Sequence, residues 1–155
     1  MKVTHQKHHF MTKTNQNHIF IDTNIIIGAY LNNKKYEDEK RCWDYLTSLV
    51  GKKIYVSSLS IAQFVSTFQH HKINKMLIRD HVRNILTKVN IIDFTKDDIK
   101  RSLLVKENDL EDNIQYVLAN KLKCGIFFTQ NIKDYNTYIN IAVYTAKEHR
   151  TIKQY

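Results

Sequence analysis

Four positions of this 155-residue chain combine side-chain type and spacing in a way that could do chemistry: Asp22, Asp112, Asn131 and Asp134. Asp22 directly follows the apolar run Ile19-Phe20-Ile21. Asp112 falls in the first turn of a helix that Asp109 opens. Asn131 and Asp134 follow a second apolar run, Gly125-Ile126-Phe127-Phe128-Thr129. If both runs are strands of one parallel sheet, these residues gather at its carboxyl edge, where open α/β sheets bind their ligands. Carboxylates brought together from distant parts of a chain repel one another unless a cation neutralises them. Oxygen donors without Cys or His nearby suit Mg2+ or Mn2+. Such an ion can activate water and stabilise an in-line displacement at phosphorus. The same acids also have plain structural readings: Asp22 as a helix N-cap, and Asp109 and Asp112 as complements to a helix dipole.

The elements that would position these groups follow from periodicity. Beyond the first run, Ile25 to Tyr30 continues as an apolar helix start. Residues 35–50 place Tyr36, Cys42, Trp43, Leu46 and Leu49 near helical spacing. Lys53 to Ser57 reads as a strand, and Ser60-Ile61-Ala62-Gln63 as a capping box opening a helix. Residues 72–88 form a second, basic helix with Ile73, Met76, Leu77, Val82, Ile85 and Leu86 as its apolar positions. Val89 to Phe94 is a strand, and Thr95 caps a helix to about Val105. On the helix after Asp109, the spacing predicts a buried face of Leu110, Ile114, Val117, Leu118 and Leu122. Ile139 to Tyr144 is a last strand, followed by the capping box Thr145–Glu148. Strands alternating with helices imply βαβ units, hence an α/β fold with a mostly parallel sheet covered on both faces.

Composition sets the outer bounds. Twenty-four basic and 15 acidic residues leave a formal charge of +9, which favours polyanions and above all nucleic acid. The basic positions Lys72, Lys75, Arg79 and Arg83 of the 72–88 helix are the candidate phosphate contacts; a solvated helix face is the equal alternative. There is no proline and glycine occurs three times, so turns fall to Asn, Asp, Ser and Lys. No apolar run is long enough for a membrane helix. The polar, His-rich start is expected to be a frayed tail over residues 1–17, ahead of one domain over 18–155. The two cysteines, Cys42 and Cys124, are expected to be free thiols, consistent with a reducing cytoplasm. Ser57, Ser58 and Ser60 lack a patterned His/Asp partner, which argues against a serine nucleophile.

In order along the chain, HIFIDTNIII, YVSSLSIAQF and DLEDNIQYVLANKLKCGIFFTQNIKDYN resemble the PIN-domain ribonucleases, nearest the bacterial branch that includes VapC-type toxins of toxin–antitoxin pairs. The resemblance covers roughly residues 18–147. It implies a three-layer α/β/α sandwich and Mg2+- or Mn2+-dependent cleavage of single-stranded RNA. An antitoxin protein and a homodimer follow as partners, with no membrane. It also implies that Asp22 and Asp112 hold the metal, that Asp134 supplies a third charge, and that Thr23, Asn24, Gln63 and Asn131 stand around them. The family usually carries glutamate where this chain has Gln63, and an acid where it has Asn131. Glu111, ~100° around the helix from Asp112, is expected to miss the metal. Two alternatives remain open: a PIN-type module that binds RNA or a protein without cutting, and, from the Asp22-Thr23-Asn24 opening, a phosphatase of haloacid-dehalogenase type.

Overall fold

In the first strand, Ile19 and Ile21 turn to one face and Phe20 to the other, and all three are fully buried. A strand enclosed on both sides needs an unbroken apolar run, which is what residues 19–21 supply. The computed structural model describes residues 13–105, 109–135 and 140–154. Its sheet has five strands: β1 (Asn15–Ile21), β2 (Lys53–Ser57), β3 (Asn90–Ile92), β4 (Cys124–Phe128) and β5 (Ala142–Tyr144). They are ordered β3-β2-β1-β4-β5 and every pairing is parallel. The first strand of the chain therefore lies at the centre. The path grows outward from β1 to one edge, then returns to its other side through β4.

Helices cover both faces. Ile19, Ile21, Ile126 and Phe128 meet the apolar sides of α1 (Thr23–Tyr30), α2 (Glu37–Ser48), α3 (Ser58–His70) and α4 (Lys75–Lys88). Phe20 and Phe127 stack at 5.3 Å on the opposite face, against Leu118 and Ala119 of α6 (Leu110–Lys121). A shorter helix, α5 (Lys96–Ser102), packs beside α6. One turn, α7 (Ile132–Tyr135), follows β4. This is the three-layer α/β/α arrangement with a mostly parallel sheet that the sequence implied, the sheet being wholly parallel among the described residues. Cys42 and Cys124 are unpaired and buried, and burial pushes each thiol up to about 12, so neither is a reactive nucleophile. No helix among the described residues is long and apolar enough to cross a membrane.

Several local expectations change. β1 begins at Asn15, inside the stretch read as tail, because its outer half pairs with β4 at Cys124; residues 1–12, with His5, His8 and His9, lie outside the described residues. The capping box at Ser60–Gln63 is absent. α3 starts earlier, capped by Ser57, whose hydroxyl accepts from the Ser60 N–H. Ser60 is already inside the helix, so Gln63 is free to reach elsewhere. Thr95 does form a capping box, with Asp98. Lys72 is not on a helix; it takes a left-handed conformation (φ 57°) in the turn before α4, which Asn74 caps. Leu110, Met76, Leu77 and Leu86 are exposed, whereas Ile78 and Ile85 bury α4. The last strand is shorter than expected, and Ile139 lies outside the described residues.

Gly28 of α1 lies hard against Glu39 of α2. A Cβ there would stand 2.8 Å from both Cβ and Cγ of Glu39. Glu39 is itself buried and accepts from Gln130 Nε2 at 2.7 Å, so it cannot swing aside freely. Gly28→Ala is expected to destabilise the fold by about 1–3 kcal/mol despite the better helix propensity of alanine, as overpacking does. Denaturant unfolding measures this, and an unchanged midpoint would contradict the packing described.

Candidate active site

β1 and β4 are neighbours at the point where strand order reverses, and their carboxyl ends open a crevice. Asp22 is the first residue past β1. Its N–H donates to the Phe128 carbonyl at 2.9 Å, which continues the ladder one step beyond the strand. The backbone then turns into α1, leaving the Asp22 side chain at the crevice floor, 4% exposed. One carboxylate oxygen accepts from the Thr23 N–H at 2.8 Å and the other from Thr129 Oγ1 at 2.9 Å. The N-cap reading of Asp22 is thus correct, and it leaves lone pairs on both oxygens unused by these bonds.

Asp22, Asn24, Gln63, Asp112 and Asn131 line one cavity of about 430 Å3, together with Asp109 and Glu111. Glu111 therefore borders the same cavity as Asp112. The 100° between adjacent residues matters less in the first turn of α6, where the helix end itself faces the crevice. Asp109 precedes α6 without a side-chain capping bond. Asn131 is steadied by its own N–H, which donates to Thr129 Oγ1 at 3.1 Å. Asp134 falls in α7 by its backbone, and its side chain lies outside the described residues.

The electrostatics are lopsided. Burial pushes Asp22 up to about 6 from the ordinary carboxylate value of 3.8. The hydrogen bonds from Thr129 and Thr23 oppose that, and the nearby charges of Asp112 and Glu111 reinforce it. Buried acids crowded by other acids create a local excess of negative charge that a cation would relieve. Every donor around the cavity is an oxygen or an amide, with no thiol or imidazole, which fits a hard divalent ion. Among the described residues no three of His, Cys, Asp and Glu converge closely enough to chelate an ion unaided. Asp22 and Asp112 would hold it, with water filling the remaining positions.

Behind Asp22 lies a buried polar network that the sequence did not announce. Thr23 Oγ1 is 2.6 Å from Ser60 Oγ and donates to Gln63 Oε1 at 2.6 Å. Gln115 Nε2 donates to both hydroxyls, at 3.2 Å to Thr23 and 2.8 Å to Ser60. Ser57 Oγ closes the set, 3.0 Å from Ser60 Oγ. These contacts tie α1, α3 and α6 together directly beneath the acids. Gln115 follows Asp112 by three residues and so shares its side of α6. A polar amide at that spacing, on an otherwise apolar face, was the available signal; Thr129, ending an apolar strand run, was another.

The basic residues sit apart. Lys75, Arg79 and Arg83 border a second groove of about 610 Å3 with Val65, Gln69, Ile78 and Val82, and Arg83 is paired with Asp80 at 2.8 Å. α3 stands between the two cavities, turning Gln63 and Thr67 to one and Val65 and Gln69 to the other. Lys72 lines neither.

A family model described as PIN domain matches residues 19–137. The chain belongs to the PIN domain family. Ribonuclease VapC1 of Aquifex aeolicus (strain VF5) is 25% identical, covering 86% of this chain and 94% of that protein. Among solved structures, a toxin–antitoxin complex from Klebsiella pneumoniae matches this PIN domain with a TM-score of 0.63 at 19% identity, over 83% of this chain and 97% of that one. VapC20 of Mycobacterium tuberculosis, described as a sarcin–ricin loop cleaving toxin, matches with a TM-score of 0.60 at 14% identity, over 80% and 98% of the two chains. These likenesses establish the fold of the PIN domain, and the family match its membership.

The raised Asp22 has a consequence for stability. The folded state holds its proton more tightly than the unfolded chain does, so this residue weakens the fold progressively as pH rises from about 3.8 to about 6 and stays costly above. Without divalent ions, Asp22→Asn should therefore favour stability more at about pH 8 than at about pH 4, by about 2 kcal/mol. Chemical denaturation of both proteins with a chelator measures the difference; a pH-independent effect would contradict the burial of an ionisable group here.

Proposed function

We propose that this PIN domain is a Mg2+- or Mn2+-dependent endoribonuclease that hydrolyses phosphodiester bonds of single-stranded RNA, leaving a 5′-phosphate and a 3′-hydroxyl. The observation that carries the reading is Asp22, desolvated at the sheet's switch point and facing Asp112 and Glu111 across a polar cavity. The ion, when bound, would supply positive charge against the phosphoryl oxygens and lower the pKa of attacking water. Asp22 and Asp112 hold it, with Asp134 as a third acid. Thr129 and the Thr23 N–H fix the plane of the Asp22 carboxylate, so that it meets a ligand without first reorganising. Asn24 and Asn131 contribute neutral polar groups at the rim. The +9 charge supports a polyanionic substrate, and Lys72, Lys75, Arg79 and Arg83 are proposed as long-range attraction for it.

The relative named a ribonuclease and the neighbour described as a sarcin–ricin loop cleaving toxin support this activity, and the neighbour held in a toxin–antitoxin complex supports a toxin role with a protein antitoxin as partner. Exposed Met76, Leu77 and Leu86 on α4 offer apolar surface for such a partner or for a homodimer. A second reading, a binding module that does not cut, is favoured by Gln63 and by the lack of a three-acid cluster among the described residues.

The test is cleavage of a labelled single-stranded RNA with Mn2+, with Mg2+ and with a chelator. Cleavage should require the divalent ion. It should fall about 100-fold or more in Asp22→Asn and in Asp112→Asn, the rate equivalent of several kcal/mol of charge stabilisation. Cleavage that survives either substitution or the chelator would overturn the nuclease reading as stated. RNA binding by the wild type without any cleavage would select the second.

A further inference from the structure

The hydroxyl–amide network under Asp22 has a direction, and the direction decides what Gln63 shows to the cavity. Gln115 is buried, and its Nε2 supplies hydrogens to Thr23 Oγ1 and Ser60 Oγ, while its Oε1 has no partner. Turning this amide over would bury two unsatisfied N–H donors in place of one acceptor, the worse of the two outcomes. Both hydroxyl oxygens therefore accept from Gln115. Each hydroxyl has a single proton to give. For the fully buried Ser57 hydroxyl, the one described acceptor is Ser60 Oγ at 3.0 Å. Ser60 then passes its proton to Thr23 Oγ1, and Thr23 passes its own to Gln63 Oε1. Run in reverse, the chain would strand the Ser57 proton.

The consequence is chemical. The Gln63 carbonyl is turned inward and occupied, and Nε2 is the end left at the cavity wall, where no described residue takes it up. A glutamate would show the cavity an acceptor; this chain shows it a donor. The carboxylate of Asp22 does not use that donor, because its described bonds come from Thr23 and Thr129. We propose that Gln63 Nε2 donates to a non-bridging oxygen of the substrate phosphodiester, so that this position binds the nucleic acid instead of completing a metal-ligand set. The inference rests on the RNA-directed reading above. An N–H placed among carboxylates at the wall of a phosphodiester site meets the anionic oxygens of that phosphate. Gln115 is a positioning residue: it acts through Thr23 and Ser60 to keep the Gln63 amide the right way round.

The experiment uses a fluorescent single-stranded oligoribonucleotide, 2′-O-methylated against cleavage, titrated into the full chain in the presence of a chelator. Gln63→Met keeps the side chain's length and removes the donor, and should weaken the Kd about tenfold, the order of one hydrogen bond to a charged group. Gln63→Glu should weaken it at least as much. In the wild type, the Gln63 side-chain NH2 resonances should shift when the oligonucleotide binds. In Gln115→Met, whose unfolding transition reports that the fold is intact, those resonances should already differ before any oligonucleotide is added, and binding should weaken. Unchanged affinity in Gln63→Met, or tighter binding by Gln63→Glu, would overturn the proposal, as would binding that leaves the Gln63 resonances still. If the wild type cuts no RNA yet binds the oligonucleotide in a Gln63-dependent way, the nuclease reading fails and this inference stands.

Discussion

A single carboxylate, withdrawn from water yet kept able to ionise, is the constraint around which the rest of this molecule is arranged. Asp22 can be nearly buried only because three groups from one strand end and a helix start meet it: the Phe128 carbonyl takes its N–H, and Thr129 and the Thr23 N–H take its oxygens. Burial alone would drive the proton on; the two hydrogen bonds hold the group within reach of neutrality. The centre of the sheet and the centre of the site are therefore one construction. Anything that parts β1 from β4 dismantles both.

The second level of support is polar where an ordinary core would be apolar. Ser57, Ser60, Thr23, Gln63 and Gln115 form a buried network joining α1, α3 and α6. Such a network costs desolvation, and it specifies geometry in return, because hydroxyls and amides accept few arrangements where hydrocarbon accepts many. It fixes how far α6, with Asp112 and Glu111, stands from Asp22. One member, the Gln115 carbonyl, is left without a partner, a cost tolerated where the surrounding contacts determine the orientation.

Much of this could be read from the sequence, and the reasons are physical. Strand runs such as Ile19–Ile21 and Gly125–Thr129 are apolar without alternation because both of their faces are covered, and that pattern has few alternatives. The placing of Asp22, Asp112 and Asn131 at one sheet edge followed directly from it. What failed was local competition. The S-x-x-Q spacing pointed to Ser60 as the helix cap, although Ser57 can cap as well; the cap formed at Ser57 released Gln63 into the network. Glu111, set aside from the metal by ideal helix rotation, still borders the cavity, because a first-turn residue can face whatever lies at the helix end. The apolar face of α4 was drawn through Val82 and Ile85, which do meet the core, but also through Met76, Leu77 and Leu86, which are exposed, because only the stripe of Ile78, Val82 and Ile85 turns inward. Gln115 was missed because a lone amide in a helical stripe looks like noise until its partners, far off in sequence, are in place.

The pairing of β1 with β4 has a further bearing, on synthesis. The two halves of the crevice lie more than a hundred residues apart, as the 107-residue separation of Asp22 and Thr129 shows. Contacts of that range close late and slowly, after the local helices have formed. A ribosome extends a chain at about 5–20 residues per second and releases its amino-terminal part first. A nascent chain therefore carries Asp22 for several seconds with nothing opposite it, and no fragment that stops short of β4 can assemble the pocket. The pocket, on this architecture, arrives all at once, when β4 joins β1.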